Sequence, residues 1–286
     1  MEIRQLTEQD LPKYQAMQTG IADDYIIAVY KRLVTPPENA LYGMFINNQL
    51  ITVAGYTIFP GGNAMLGRLR SDLRFQGRGY ATLLLKQIIE ELSGIPTVKW
   101  LGGYTNMANK AAQRVLNKLA FSPVKSYYSL PLINRTAAGN RPGQPWDEIT
   151  ALPVKRDILA NLANDALDIY HYECYYPFPY SHSLISDHKL GATRVFSNTA
   201  NNRWLFISND FKGESYAHIH YFWDDHFTQA GLFETIDLYL REEHEQQTPW
   251  FDFTINGFKE IPNQHAFDLL DGWILYGYSL NNMIKN

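Results

Sequence analysis

Two stretches 150 residues apart close on the same tripeptide: Tyr128-Ser129-Leu130 ends AAQRVLNKLAFSPVKSYYSL, and Tyr278-Ser279-Leu280 ends HAFDLLDGWILYGYSL. The likeness runs backwards along the chain. MEIRQL before DLPKYQAM parallels WDEITAL before VKRDILANL, and the extended runs on either side of Asn47-Asn48 parallel RVFSN and RWLFISN around ANN. AMLGRLRS parallels ESYAHIHYFW, the helical stretch after Gly79 parallels LFETIDLYLREEH, and TVKWLGGYT parallels WFDFTIN. A repeated order of elements constrains the fold more than any single motif, because each copy must meet the same packing demands. A length of 286 residues suits two domains. INRTAAGNRPGQP, with two prolines, two glycines and no apolar period, reads as a linker. The division is therefore residues 1–132, a linker at 133–145, and residues 146–286.

Within the first half the pattern alternates between α and β. A short strand near EIRQL leads to a helix starting at Glu8 to Leu11, and a second helix covers Asp24 to Leu33, stopping before Pro36-Pro37. ALYGMFIN and QLITVAGYTIF form a hairpin about Asn47-Asn48, and AMLGRLRS is a third extended run. From Gly79 to Ser93, Ala81, Leu84, Leu85, Ile88, Ile89 and Leu92 fall at helical spacing, and Gly94 and Pro96 end that helix. Asn109 to Leu119 is another helix, between strands at TVKWLGGYT and PVKSYYSL.

Charge separates the halves. Residues 1–140 hold 15 Lys and Arg against 9 Asp and Glu, a net of +6, and residues 141–286 hold 10 against 20, a net of −10. Either two domains simply differ in surface, or the first binds an anion while the second shapes a site for a cationic partner. A modest basic excess in an acidic protein argues against nucleic acid. No run of about 18 apolar residues suggests a membrane span, and the polar N-terminus lacks a secretory h-region. One cysteine, Cys174, excludes an internal disulfide and a CxxC metal site. A cytoplasmic protein, monomer or homodimer, is expected.

RFQGRGYATLLLKQ places Gly77 and Gly79 at the mouth of the apolar helix. No GxxxxGK followed by Ser or Thr is present, and Thr82 stands where a dinucleotide fingerprint needs its third glycine. The remaining phosphate-binding reading is a loop whose amides face an anion at a helix N-terminus. An ordinary tight turn into a core helix is the plain alternative.

Gln76-Gly77-Arg78-Gly79-Tyr80-Ala81 resembles the Q/R-x-x-G-x-G/A signature of the GNAT acyl-CoA N-acyltransferases. Arg74-Phe75 before it, the leucine-rich helix after it, and the later Asn106, Asn109, Ala112, Leu119, Ala120, Phe121 set resemble the same family. The resemblance implies an α/β (α+β) fold, with a mixed, mostly antiparallel central sheet flanked by helices, duplicated in tandem with a degenerate C-terminal half. It implies acetyl-CoA as co-substrate and direct acetyl transfer to an amine of a small molecule or peptide. It places the pantetheine arm along Leu69, Arg70 and Ser71, the pyrophosphate on Gln76, Gly77, Arg78, Gly79, Tyr80, Ala81 and Thr82, and Asn109 near the thioester. Arg68, Arg70, Arg74 and Arg78 are candidate phosphate partners.

The resemblance also implies a tyrosine acid in the last helix, but the matching residue is Leu116. Tyr104, Tyr127 and Tyr128 are the substitutes nearby, with packing as the plain reading of each, and Asp72 is a candidate base, although alternation places it on a face with Arg68 and Arg70 and an ion pair is the plainer reading. A catalytically silent CoA-binding module is the alternative function. In the second half the place of the glycine loop is taken by WDDHFTQAGLFET, whose aspartates would repel pyrophosphate, so that half is not expected to bind coenzyme A. Asp224, Asp225 and the ring-rich Tyr170 to Tyr180 run are candidates to meet a cationic acceptor, with aromatic packing as the plain reading. His218, His220 and His226 match no recognised metal motif, and no metal is expected.

Overall fold

A computed structural model describes residues 1–243 and 246–280. In the first half the chain forms β1 (Glu2–Gln5), α1 (Leu11–Gln15), α2 (Tyr25–Leu33), β2 (Asn39–Ile46), β3 (Gln49–Phe59), β4 (Asn63–Ser71), α3 (Tyr80–Ser93), β5 (Trp100–Asn106), α4 (Lys110–Lys118) and β6 (Ser122–Pro131). The second half forms β7 (Asp147–Ile149), α5 (Leu152–Leu162), β8 (Ile169–Glu173), β9 (Tyr176–Pro179), α6 (Asp187–Ala192), β10 (Arg194–Ser197), β11 (Trp204–Lys212), β12 (Glu214–His220), α7 (Leu232–Glu243), β13 (Thr248–Thr254), α8 (Ile255–Lys259) and β14 (Trp273–Ser279).

The chain packs as two compact units that do not coincide with residues 1–132 and 146–286. Unit 1 holds residues 1–105, 109–124 and the described residues from Leu275 on, and unit 2 holds 106–108 and 125–274. Unit 1 orders its strands β1-β2-β3-β4-β5-β14, and unit 2 orders its own β7-β10-β11-β12-β13-β6. In both, the neighbours up to the fourth strand run antiparallel and the fourth and fifth run parallel. The repeat is thus a repeat of topology, and the closing strand of each half serves the other unit. The first Tyr-Ser-Leu segment lies in its closing strand, and the second ends its own, with Leu280 just beyond it.

Local rules account for the elements that matter to the site. Asn47 and Asn48 take left-handed φ of 48° and 64°, which makes the two-residue turn between Ile46 and Gln49. Asp24 caps α2 by accepting the Ile26 amide. Along α3, Leu84, Leu85, Ile88, Ile89 and Leu92 are buried, each worth about 2 kcal/mol over an exposed position. That face fixes where the N-terminus of α3 opens.

The halves depart from each other in two places. Where unit 1 has α2, unit 2 has the β8–β9 hairpin and α6. The HAFDLLD segment does not form a counterpart of α4: Gln264–Ala266 make one 3-10 turn, then Phe267 is extended and bridges Leu132 while the Asp268 amide bonds to Pro131. These strand-type bonds take the backbone groups a helix would need.

In unit 1, Gly277 of β14 lies against the Trp100 ring and the Leu101 carbonyl, so a Cβ there would collide with both. Gly277→Ala should lower the stability of the chain by about 1–3 kcal/mol, read as a lower urea midpoint with the slope unchanged.

Candidate functional site

The site begins where a strand loses its neighbour. β3 and β4 pair regularly from Phe59 with Asn63 to Gly55 with Gly67, and pairing resumes at Val53 with Arg70. Between them Ala54 faces two residues, Arg68 and Leu69, and Arg68 holds a φ of 59°. This is a β-bulge, which bends the strand that carries it. The parallel pairing of β4 with β5 ends just before it, at Leu66 with Gly103. Gly67 to Ser71, all half-buried, therefore run on with the edge that faced β5 no longer engaged by it. Leu69, Arg70 and Ser71 lie on this stretch.

The glycine loop opens beside it. Gly77 and Gly79 have φ of 77° and 81°, conformations that glycine takes cheaply. A Cβ at either would meet nothing within 4 Å, so the loop leaves vacant space over its backbone. α3 starts at Tyr80 with no side-chain cap, and its first backbone bond runs from the Leu83 amide to the Gly79 carbonyl at 3.1 Å. The amides of Tyr80, Ala81 and Thr82 thus have no partner within the helix, and they sit at the positive end of its dipole. The Gln76 side chain turns back to the Ser71 carbonyl at 3.4 Å.

Two of the four candidate arginines are held by carboxylates. Arg70 makes a two-pronged pair with Asp24 at 2.8 and 2.9 Å, and Asp24 also accepts the Tyr14 hydroxyl at 2.6 Å. This cluster ties α1 and α2 to the end of β4. Arg74 pairs with Asp72 at 2.8 and 2.5 Å, and Arg68 bonds the Thr57 hydroxyl. Arg78 lies 5.5 Å from the Phe75 ring centroid on the exposed loop. Asp72 is therefore no free base. It is fully buried, accepts the Gln18 and Arg74 amides, and its partner is Arg74 rather than Arg68 or Arg70: the bulge sets Arg68 apart, and Arg70 is taken by Asp24. The hydrogen bonds from the Arg74 guanidinium hold its carboxyl down at about 2.

Leu116 on α4 is buried against Gly103, the last β5 residue paired with β4. Tyr104 follows on β5 and by alternation faces away from Leu116. Tyr127 and Tyr128 belong to unit 2, where Tyr127 meets His171 edge-on and Tyr128 stacks on Phe258 at 3.9 Å. Asn109 is the N-cap of α4: its side-chain oxygen accepts the Ala112 amide at 3.0 Å.

A family model described as the acetyltransferase (GNAT) family matches residues 3–121, the stretch that carries the bulged strand and the open helix end. Residues 3–121 belong to the GNAT acetyltransferase family. Solved structures share the fold over nearly the whole chain. A GCN5-related N-acetyltransferase from Sphaerobacter thermophilus superposes with a TM-score of 0.57 at 11% identity, covering 98% of this chain and 95% of that one. A protein described as an acetyltransferase from Thermoplasma acidophilum gives 0.58 at 12% identity, covering 98% and 100%. A GCN5-related N-acetyltransferase from Anabaena variabilis gives 0.51 at 12%, covering 98% and 73%. No curated protein matches the sequence closely enough to count as a relative.

Unit 2 repeats the geometry of the GNAT domain and then fills it. Its parallel pairing ends at Ile219 with Phe251, and the narrow cleft beyond is lined by Tyr127, His171, Tyr221 and Asp252, among others. The start of α7 is covered by the end of the linker and the residue after it: Trp146 donates its indole N–H to the Ala230 carbonyl and its amide to Thr235, and Gly231 is packed against the Gln144 carbonyl. Asp225 accepts from Arg203, Tyr221 and Gln229, and Asp224 accepts from Thr254. Both aspartates hold the fold together instead of facing outward. The Tyr170 to Tyr180 run is the β8–β9 hairpin, whose rings pack inside unit 2, Tyr170 on His220 and Tyr175 on Trp250. Sequence reasoning missed this hairpin because its rings mask the strand alternation.

Since the folded pKa of Asp72 lies below its unfolded value, its ion pair stabilises above about pH 4, and that contribution fades as pH falls toward 2. Asp72→Asn should cost on the order of 1 kcal/mol at pH 7, because exposed Arg74 is screened by water. Urea unfolding of both proteins at pH 7, 4 and 3 should show the gap closing.

Proposed function

We propose that the GNAT domain transfers an acetyl group from acetyl-CoA to a primary amine, in a complex that holds both at once. The observation that carries this reading is the conjunction in unit 1 of a β4 edge no longer paired with β5 and an uncapped, uncovered α3 N-terminus. A pantetheine arm carries amides that pair with a strand edge, and Gly67 to Ser71 offer one. A pyrophosphate needs several donors converging on two charges, and the backbone from Gly77 to Thr82 offers them. Arg78 adds a guanidinium that no carboxylate holds among the described residues. Leu69, Arg70 and Ser71 act through their backbone, since the Arg70 side chain is committed to Asp24.

In the reaction the neutral amine attacks the thioester carbonyl, the C–S bond breaks with coenzyme A leaving as thiolate, the new amide nitrogen sheds one proton to water, and the thiolate takes one up. With a lysine-like pKa only about one amine in 10³ is neutral at pH 7, a cost of roughly 4–5 kcal/mol. Positioning amine and thioester in contact offsets several kcal/mol of the remaining barrier. Leu116 offers no proton to the thiolate, so Tyr104, next to Gly103 where β4 and β5 part, is assigned as the acid. Asn109 has its oxygen committed to the helix cap and its amide nitrogen left to meet the thioester end.

A silent CoA-binding module is the second reading, and the apolar Leu116 at the end of the β4–β5 pairing favours it. One set of measurements separates the two. In calorimetry, Gly79→Glu should weaken coenzyme A binding at least about tenfold with the far-UV spectrum unchanged; unchanged affinity would defeat both readings. Thiol release from acetyl-CoA that depends on an added amine supports transfer, and its absence across a panel of small amines and peptides supports the silent module. Tyr104→Phe should lower kcat about 10²-fold while leaving coenzyme A affinity intact, and an unaltered kcat would remove Tyr104 from the mechanism.

A further inference from the structure

Unit 2 holds a second cluster of chemistry that the acyl-transfer reading does not use. β11 and β12 pair Ser208 with His218 and Asp210 with Tyr216, which makes Asp210 the diagonal neighbour of His218 on one face. Cys174 lies in the turn of the β8–β9 hairpin, and its amide donates to the Asp210 carboxylate at 2.7 Å. One ligating atom from each of Cys174, Asp210 and His218 lies within 4.8 Å of the others. Cys174 and His218 are 1% and 0% exposed, while Asp210 is partly open to solvent, giving an ion a way in.

His218 decides what this cluster is for. Its Nε2 is engaged by Asp252 at 2.6 Å, and Asp252 also accepts the Ser129 hydroxyl. Its Nδ1 is buried with no hydrogen-bond partner. Leaving such a group unsatisfied is costly, and proteins rarely do so without a use for it. A carboxylate on one ring nitrogen fixes the tautomer and makes the other a better electron-pair donor, the usual arrangement behind a metal-bound histidine. His220 lies beside His218, with ring centroids 4.1 Å apart, but its Nε2 is engaged by Ser208 at 2.9 Å, and His226 packs on Phe253.

We propose that Cys174 Sγ, the Asp210 carboxylate and His218 Nδ1 bind one divalent cation of the zinc class, with water in the fourth position. One sulfur, one nitrogen and one oxygen donor suit a tetrahedral zinc ion and exclude calcium or magnesium, which prefer oxygen alone. The three ligands come from β11, β12 and the β8–β9 turn, so the ion pins the aromatic hairpin to the sheet. Lys212 is the competing cation. Its ammonium rests over the Tyr175 ring, and it interacts with both Cys174 and Asp210. The site stands apart from acyl transfer and contradicts the sequence expectation of no metal.

Cobalt(II) titration of the metal-stripped full chain tests it. The expected result is one equivalent bound, with a near-ultraviolet thiolate-to-cobalt band that zinc(II) abolishes. Cys174→Ser should lose the band. Asp252→Asn should weaken binding about 10–100-fold, and His218→Ala by at least as much. Asp210→Asn, at the least buried position, should weaken binding while leaving the far-UV spectrum native. The proposal is overturned if the wild-type chain takes up no stoichiometric cobalt or zinc, or if uptake is the same in Cys174→Ser and His218→Ala. It is also overturned if only Lys212→Met binds the ion, because the lysine is then the resident cation.

Discussion

The end of hydrogen bonding between β4 and β5 at Leu66 and Gly103 is the constraint from which the rest of unit 1 follows. A parallel pair that stops halfway leaves backbone donors and acceptors without a partner, and such groups are not left unused in a folded protein. The bulge at Arg68 and Leu69 turns the strand at that point. The Arg70–Asp24–Tyr14 cluster then anchors its end to α1 and α2, and the Asp72–Arg74 pair anchors the start of the loop. Rigid supports on both sides allow a loop of exposed glycine backbone to hold its shape with empty space above it.

Unit 2 shows the same topology with different side chains at the loop position. Its strand order and its parallel pair match those of unit 1, yet the place of the glycine loop is occupied by Gln144 and Trp146, and Asp224 and Asp225 are committed to internal bonds. Coenzyme A would have to displace Trp146 and Gln144 and then meet two carboxylates. Unit 2 also holds a polar cluster of its own: a buried Asp252 shared by His218 and Ser129, beside Cys174 and Asp210. Fold repetition and functional repetition are separate matters.

Much of this was legible in the sequence because local rules and tertiary demands agree there. The α3 pattern, the Asn47-Asn48 turn and the loop before Tyr80 each carry their own signal. The GNAT resemblance of residues 76–81 was borne out for the family. What was not legible was long-range. Nothing in the Tyr-Ser-Leu segments says that each closing strand joins the other unit. Alternation assigned Asp72 to the face of Arg68 and Arg70, but the bulge at Arg68 sets that residue apart, Arg70 is taken by Asp24, and Asp72 pairs with Arg74. His218 and His220 lie side by side as their spacing implies, but the other ligand-type groups close to His218, Cys174 and Asp210, are distant in sequence. A helix was implied at HAFDLLD by its parallel with α4, and the backbone bonds to Pro131 and Leu132 prevented it.

The central claim is that backbone amides at the start of α3 hold the diphosphate bridge of coenzyme A. Amide resonances report this directly. Titrating isotope-labelled protein with coenzyme A should move the Gly77, Gly79, Tyr80, Ala81 and Thr82 amide protons downfield, and dephospho-coenzyme A, which keeps the bridge, should move them equally. Saturation of the protein with coenzyme A while these amides stay where they were would contradict the account.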